Sequence, residues 1–290
     1  MREVAKSGRA GDVLELRERN LSGSAADHAA FVRAWAELEL DQTAPPRDVF
    51  ACHQAPHAFF LETATGEVAA YALIRGYGAR GDVRQIVVMP AWRGRGVGKR
   101  LMAAVAARLR RAGCSDWRLE VKAENAAAIG LYESVGMKVR RPMTIVRLDA
   151  RAAAATVAAA GPGAARLRPL RADVEAPYED AFDLGRGFLA AVRARRPDLP
   201  MLALEMAGMP AGLVRWIPDY LGACGLLFPF RARDTKVLPA LLAAADGAAG
   251  QIELMGTDAG VSQWLLGAGA RTHECLLEMG APLPRATVGA

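Results

Sequence analysis

The sequence predicts a mixed α/β protein made of two domains. Segments whose apolar residues alternate, as in strands, are interspersed with segments whose apolar residues recur every three to four positions, as in helices. A nearly chargeless stretch rich in alanine, glycine and proline divides the 290 residues near their middle. Behind it, part of the first half's order of strand, turn and helix recurs, which indicates an internal duplication.

The early elements follow from local periodicity. Residues 13–17 alternate as a strand, and residues 24–40 place apolar side chains at helical spacing. Residues 58–62 and 67–75 are two apolar runs around the turn pair Thr65-Gly66, which predicts a β-hairpin. The first domain therefore opens with a strand, a helix and a hairpin.

The later elements of the first half are predicted in the same way. Residues 82–89 alternate as a strand that ends at a proline, and a glycine-rich loop leads from it into a helix over residues 97–111. A strand at 117–121, a helix at 126–135 and a last strand at 143–148 complete the half. This order is that of a mixed α/β domain.

Composition sets the domain boundaries. We expect a first domain over residues 1–150, a linker over residues 151–164 and a second domain over residues 165–290. The linker begins as an alanine run that favours a short helix, and its Gly161-Pro162-Gly163 end stops any helix.

The duplication is clearest when the sequence is shifted by 133 positions. Leu119–Asn125 then aligns with Ile252–Asp258 without a gap, and Gly136 falls on Gly269. The second copy has no glycine loop, because the corresponding stretch, Phe228–Lys236, contains no glycine. We therefore expect the second domain to be a degenerate copy without a cofactor site.

Composition and charge argue against several functional classes. No apolar stretch is long enough to span a membrane, and the first residues include no apolar signal segment. The four cysteines form no CxxC pair, which favours reduced thiols and a cytoplasmic protein. The net charge of +6 lies in the first 150 residues, which hold 23 Lys and Arg against 17 Asp and Glu. No basic stripe is interleaved with aromatic residues, so a nucleic-acid partner is not expected.

The strongest motif is a strand that runs into alternating glycines and then directly into a helix. Glycines let the backbone approach a ligand, and the N–H groups of a helix start bind phosphate. The spacing fits neither a Walker A loop nor a dinucleotide fingerprint, because basic residues stand where those motifs need glycine. We therefore predict a pyrophosphate site formed by Arg93, Gly94, Arg95, Gly96, Val97, Gly98, Lys99 and Arg100.

Two motifs together resemble the GNAT (Gcn5-related N-acetyltransferase) family. Arg93-x-x-Gly96-x-Gly98 is similar to the family's acetyl-CoA loop, which also follows a strand and opens a helix. Asn125-x6-Tyr132-x3-Gly136 resembles its second signature, with methionine in place of the usual aromatic residue after the glycine. The resemblance covers residues 13–148. It implies two tandem GNAT-like α/β domains, each a mixed, mostly antiparallel sheet flanked by helices.

The resemblance also implies a reaction. A primary amine of a small molecule or peptide would attack acetyl-CoA directly in a ternary complex. Val87 and Val88 at the strand end would contact the cofactor, the N–H of Val88 polarising the acetyl carbonyl, and Asn125 would contact the pantetheine arm. Tyr132 is the candidate acid that protonates the CoA sulfur.

Two carboxylates are candidates for the general base. Asp82 lies eleven residues before Arg93, where histone acetyltransferases of the family carry a catalytic glutamate, and it is our first choice, acting directly or through water. Glu120 on the following strand is the second candidate.

Other interpretations remain open at this point. Cys52, His53 and His57 are of metal-ligating types, but Pro56 separates the histidines and no fourth ligand stands near, so no metal is predicted. One alternative function is a non-catalytic acyl-CoA binder or sensor. Another is an acetyltransferase acting on charged tRNA or a basic protein, which the near-neutral second half argues against.

Overall fold

The computed structural model describes residues 15–38, 40, 43–161, 166–221, 224–257 and 259–284. The strands are β1 (Leu16–Asn20), β2 (Ala58–Thr63), β3 (Val68–Tyr77), β4 (Arg80–Val88), β5 (Asp116–Lys122), β6 (Lys138–Asp149), β7 (Arg168–Pro169), β8 (Leu202–Met206), β9 (Met209–Leu221), β10 (Cys224–Ala232), β11 (Gln251–Thr257) and β12 (Arg271–Pro282). The helices are α1 (Ala25–Ala36), α2 (Arg47–His53), α3 (Val97–Arg111), α4 (Ala126–Glu133), α5 (Ala150–Ala159), α6 (Glu175–Ala181), α7 (Phe188–Arg195), α8 (Leu238–Leu242) and α9 (Ala259–Gly267). The mixed α/β class predicted from the sequence is confirmed.

The described residues form two compact units, of which the first comprises residues 15–74 and 83–105. Its strands follow the order β1-β2-β3-β4, and the predicted hairpin is the antiparallel pair β2 and β3. Phe31 of α1 stacks on Phe50 of α2 with ring centroids 4.6 Å apart and meets Tyr71 of β3 edge-on. These aromatic contacts pack both helices on the hairpin.

The second unit comprises residues 75–82 and 106–284. It contains a sheet of strand order β5-β12-β6-β11-β10-β9-β8-β7. Neighbouring strands in this sheet are antiparallel except β10 and β11, which are parallel. The sheet is therefore mixed and mostly antiparallel, as expected.

The structure confirms the internal duplication. Strands β6 and β12 are both 12 residues long and begin at Lys138 and Arg271, which differ by 133 positions. Helices α4 and α9 begin at Ala126 and Ala259, which differ by the same number. The last strands of the two copies are exchanged, because β12 pairs with β5 while β6 pairs with β11. Each copy therefore completes the sheet of the other.

Helices cover both faces of the second unit's sheet. Successive strand residues face opposite sides, so Leu213 and Val214 of β9 enter different hydrophobic clusters although both are fully buried. One cluster packs α5, α8 and α9 against the sheet, and the other packs α6 and α7. In this unit's sheet, the two clusters lie on strands β6 and β8 to β11, and neither contains a described residue of β5 or β12.

Several boundaries differ from those predicted. The predicted strand at 13–17 starts outside the described residues and is observed as β1 from Leu16. The predicted helix at 24–40 ends at Ala36. The sequence pattern does not predict α2, because Phe50 is the only residue that this short helix buries.

The predicted linker is mostly helical. Helix α5 continues to Ala159, since Ala150 and Ala153 are buried in the core that α8 and α9 share. Residues 162–165 lie outside the described residues. The division into domains at residues 151–164 stays a prediction.

Candidate active site

The glycine loop lies between β4 and α3 in the first unit. A short 3-10 helix, Pro90–Trp92, follows the strand, and α3 begins at Val97. Gly94 and Gly96 have φ of 72° and 75°, and a Cβ on either would meet no atom within 4 Å. Backbone conformation rather than crowding therefore explains these two glycines. Because the first N–H groups of a helix lack intrahelical partners, the start of α3 offers donors to an anion.

Two arginines of the loop make different contacts. The Nη2 of Arg93 donates to Glu37 at 2.6 Å and its Nε donates to the carbonyl of Val88 at 3.0 Å. Arg95 is exposed and stacks on Trp92, with its guanidinium carbon 5.3 Å from the ring centroid. Arg93 therefore holds the loop in shape, whereas the charge of Arg95 stays at the surface.

The other cofactor residues predicted in the first unit flank this loop. Val87 is buried in β4, and Val88 is half-buried at the strand's end. Lys99 and Arg100 are exposed on the first turn of α3, which contains no acidic residue. Cations oppose the helix dipole at this end, so two of them in one turn indicate an anionic ligand.

Asn125 and Tyr132 belong to α4 in the second unit. Asn125 caps the helix, its Oδ1 accepting the N–H of Ala128 at 3.0 Å, so its amide NH2 group is left to donate. Tyr132 is 8% exposed, and burial raises its pKa to about 12. Its hydroxyl is therefore protonated at neutral pH.

The two candidate bases differ in their surroundings. Asp82 is 6% exposed, and its carboxylate accepts a hydrogen bond of 2.6 Å from the Nε of Arg80. Glu120 is half-buried on β5, and none of the described residues forms a hydrogen bond or ion pair with its carboxylate. Its neighbour across the strand pair β5 and β12 is another carboxylate, Glu278. Glu120 is the more accessible of the two.

Charged residues outside both motifs gather on the same sheet. Arg141 of β6 lies opposite Glu278 of β12, and its Nη2 donates to Oε2 at 3.1 Å. Arg231 of β10 lies near enough for the charges of Arg141 and Glu120 to affect its pKa. The motifs do not reveal these residues. Their signal in the sequence is a charge inside an otherwise apolar strand, as in Leu226-Leu-Phe-Pro-Phe-Arg231.

The second copy has a different connection at the place of the glycine loop. The stretch Phe228–Lys236 leads from β10 into a short 3-10 helix. The side chain of Asp234 accepts the backbone N–H of Lys236 at 2.9 Å. A carboxylate therefore already uses a helix-start donor, and its charge repels a phosphate.

Two findings concern the described residues alone. None of their helices has both the length and the apolar character that crossing a membrane requires. Among them, no three His, Cys, Asp or Glu side chains converge in a metal-binding arrangement. Cys52, His53 and His57 lie in or next to α2 and are exposed.

Comparison with known proteins shows a family relationship. Residues 26–137 match the family described as Acetyltransferase (GNAT) family. The [Ribosomal protein bS18]-alanine N-acetyltransferase of Escherichia coli is 36% identical over 97 residues, which are 31% of this chain and 66% of that protein. An acetyltransferase of Pectobacterium atrosepticum is 30% identical over 105 residues, which are 36% of this chain and 70% of that protein. The chain thus spans about two thirds of these relatives.

The likeness to a solved structure extends over the second half as well. A tandem GNAT protein from the clavulanic acid biosynthesis pathway superimposes with a TM-score of 0.57, covering 94% of this chain and 100% of the other. At 15% identity, this likeness shows that the two proteins share the tandem fold and shows nothing more.

Proposed function

Because this chain belongs to the acetyltransferase (GNAT) family, we propose that it transfers an acetyl group from acetyl-CoA to a primary amine by direct attack in a ternary complex. The observation that carries the proposal is the loop between β4 and α3, where two glycines of positive φ lead into a 15-residue helix. Acetyl-CoA, when bound, supplies an activated acetyl thioester. The residues of this chain bind it, orient the two substrates and move protons.

The loop and the start of α3 would hold the pyrophosphate. Their backbone N–H groups donate to phosphate oxygens, and Arg95, Lys99 and Arg100 neutralise the negative charge. The amide NH2 of Asn125, which helix capping leaves unused, would donate to the pantetheine arm.

Glu120 is our proposed base, in preference to Asp82. A base must be reachable by the amine, whereas Asp82 is buried against Arg80. Tyr132 is the proposed acid, since its hydroxyl is protonated at neutral pH and a proton is needed by the departing sulfur. The N–H of Val88 would polarise the acetyl carbonyl.

The acceptor is proposed as a small-molecule or peptide amine. The Escherichia coli relative is named for acetylating an alanine of a ribosomal protein, which supports a peptide amine as the acceptor. We propose the cytoplasm as the compartment, since the four cysteines form no paired motif in the sequence.

Calorimetric titration with acetyl-CoA tests the cofactor site. We expect one site per chain in the wild type and loss of binding in Gly96→Glu, whose carboxylate would face the phosphates. Gly113→Glu is the matched control, because Gly113 follows the other end of α3, has φ of 85° and also leaves open space for a Cβ. Two sites would mean that the second copy binds cofactor. An equal loss in both variants would mean that strain rather than the loop abolishes binding.

An amine panel separates catalysis from simple binding. Release of CoA in the presence of amines is expected of the enzyme. Binding of acetyl-CoA without turnover on any amine would favour an acyl-CoA binder or sensor.

A further inference from the structure

Three neighbouring strands of the second unit place charged side chains together. Glu278 of β12 lies opposite Glu120 of β5 on one side and opposite Arg141 of β6 on the other. Glu278 is 2% exposed, whereas Glu120 and Arg141 are half-buried. The cluster therefore has a buried centre and a partly exposed rim.

Arg231 of β10 adds a positive charge that forms no ion pair with a described carboxylate, although the charges of Glu278 and Glu120 reach it. Its one hydrogen bond among the described residues runs from Nη1 to the carbonyl of Phe230, at 2.9 Å. Burial, followed by the nearby charges of Arg141 and Arg80, lowers the pKa of Arg231 to about 10. The folded chain therefore holds this guanidinium at a cost that an anion would offset.

Three buried polar atoms of this cluster have no hydrogen-bond partner within the described chain. They are the Nε of Arg231, the Nε of Arg141 and the Oε1 of Glu278. The Oε1 of Glu278 lies 3.5 Å from the Nε of Arg140 and 3.7 Å from the Nη1 of Arg118, in ion pairs that account for it. Buried polar atoms are almost always paired, so the two arginine donors require an explanation. A ligand that carries anionic oxygens would satisfy the two donors.

Arg231 is half-buried, and the fully buried arginines of this unit have partners. Arg80 contacts Asp82 at 2.6 Å, and Arg118 contacts both carboxylate oxygens of Asp183 at 3.0 Å. Arg215 donates to the carbonyls of Val192 and Arg196 near the end of α7, where a cation complements the helix dipole. Arg80 and Arg118 are thus paired with carboxylates, and Arg215, whose Nε also lacks a partner, donates to two carbonyls at a helix end. Arg231 has neither a carboxylate partner nor a helix end, and donates to a single carbonyl among the described residues.

We propose that Arg231 and Arg141 bind the carboxylate of the acceptor, so that the acceptor is a small amino acid whose amine lies against Glu120. The guanidinium fork fits a carboxylate, and Glu120 supplies the opposite charge that an ammonium group needs. A zwitterion thus matches both signs of charge that the strands present. The assignment rests on the proposed function, since the ligand is identified as its acceptor.

Turnover of matched amines tests this proposal. The panel consists of the proteinogenic amino acids and the amines that remain after removal of their carboxylates. The wild type should prefer an amino acid over its decarboxylated partner in kcat/KM by about 10- to 100-fold, the value of one or two charged hydrogen bonds. In Arg231→Gln this ratio should fall to about one. Arg231→Lys should give an intermediate ratio, because lysine lacks the guanidinium fork. Arg233→Gln, at an exposed arginine two residues further on, should leave the ratio unchanged.

A binding measurement separates this proposal from the proposed function. Calorimetric titration with N-acetylated amino acids, the products expected of the reaction, should show binding to the wild type and at least tenfold weaker binding to Arg231→Gln. Titration with acetyl-CoA on the same samples verifies that the variant is folded. Turnover of amines with no preference for a carboxylate would overturn the carboxylate site and leave the transferase intact. Binding of acetylated amino acids without any turnover would support the site and count against the transferase.

Discussion

The variants Glu120→Gln and Asp82→Asn distinguish the two candidate bases, because the surroundings of the two residues predict opposite effects on stability and on turnover. Glu120 has no ion-pair partner among the described residues and lies across from Glu278, so removing its charge relieves a repulsion. We expect Glu120→Gln to match or exceed the wild type in free energy of unfolding, within about 0.5 kcal/mol. Its turnover should fall by roughly 10²- to 10⁴-fold, the usual contribution of a general base.

Asp82→Asn should behave in the reverse way. Arg80, whose side chain is 10% exposed, would lose the carboxylate that its Nε contacts at 2.6 Å. Removing one partner of a buried ion pair costs about 3–5 kcal/mol, and asparagine, which still accepts a hydrogen bond, should fall at the lower end. Turnover per folded molecule should stay close to that of the wild type.

Urea denaturation and CoA release measured on the same preparations give both quantities. Glu124→Gln is the control, since Glu124 is an exposed carboxylate four residues beyond Glu120. The reasoning is refuted if Asp82→Asn remains as stable as the wild type and loses turnover while Glu120→Gln retains it. That result would restore Asp82 as the base and mean that its contact with Arg80 is not structural.

Two further predictions concern single residues. Tyr132→Phe should lower kcat about 100-fold and change the acetyl-CoA dissociation constant in calorimetry less than twofold, and an unchanged kcat would remove Tyr132 from the mechanism. Burial alone would raise the pKa of Asp27, but hydrogen bonds from Ser22 and the contact with Arg19 outweigh it and lower the pKa from 3.8 to about 2. Above pH 4, ionised Asp27 therefore contributes about 2 kcal/mol to the free energy of unfolding. This contribution is lost as the pH falls through 2. Urea midpoints of the wild type and Asp27→Asn should differ at pH 6 and converge near pH 2, whereas a constant gap would contradict the assignment.

Local sequence patterns predict much of this fold, because helices and strands leave a period in the chain. The helix predicted over residues 97–111 has those bounds in α3, and the observed starts of α4 and β6 recur 133 positions later in α9 and β12. The exchange of β6 and β12 cannot be predicted in this way, because the pairing of distant strands depends on the partner strands and not on the local period of either one. The alanine run at the start of the linker predicts a short helix, but not the burial of α5, which depends on residues far away in the chain.

The candidate site likewise has parts that the sequence predicts and parts that it does not. The loop can be predicted because its glycines and basic residues are consecutive in the chain. Alternation along β4 puts Arg80 and Asp82 on one face, yet the sequence cannot tell whether their side chains meet. No local motif predicts Arg231, because its neighbours Arg141 and Glu120 come from other strands.

The duplication gives a physical reason to expect chemistry in only one copy. The residue 133 positions after Glu120 is Glu253, which lies opposite Arg147 and forms an ion pair with it at 3.0 Å. A carboxylate that is 3% exposed and neutralised in this way is a poor proton acceptor for an amine. The residue that corresponds to Tyr132 is Leu265, which is fully buried and has no proton to give.

We therefore expect the second copy to contribute through its strands. In place of a phosphate loop it has Asp234, whose carboxylate would repel the cofactor. Its last strand, β12, brings Glu278 next to Glu120, and its β10 carries Arg231. If the exchange of β6 and β12 sets the surroundings of the proposed base, substitutions at Arg231 should change which amine is accepted and leave the affinity for acetyl-CoA unaltered. A loss of acetyl-CoA affinity in a folded Arg231 variant would instead mean that the second copy supports the cofactor site.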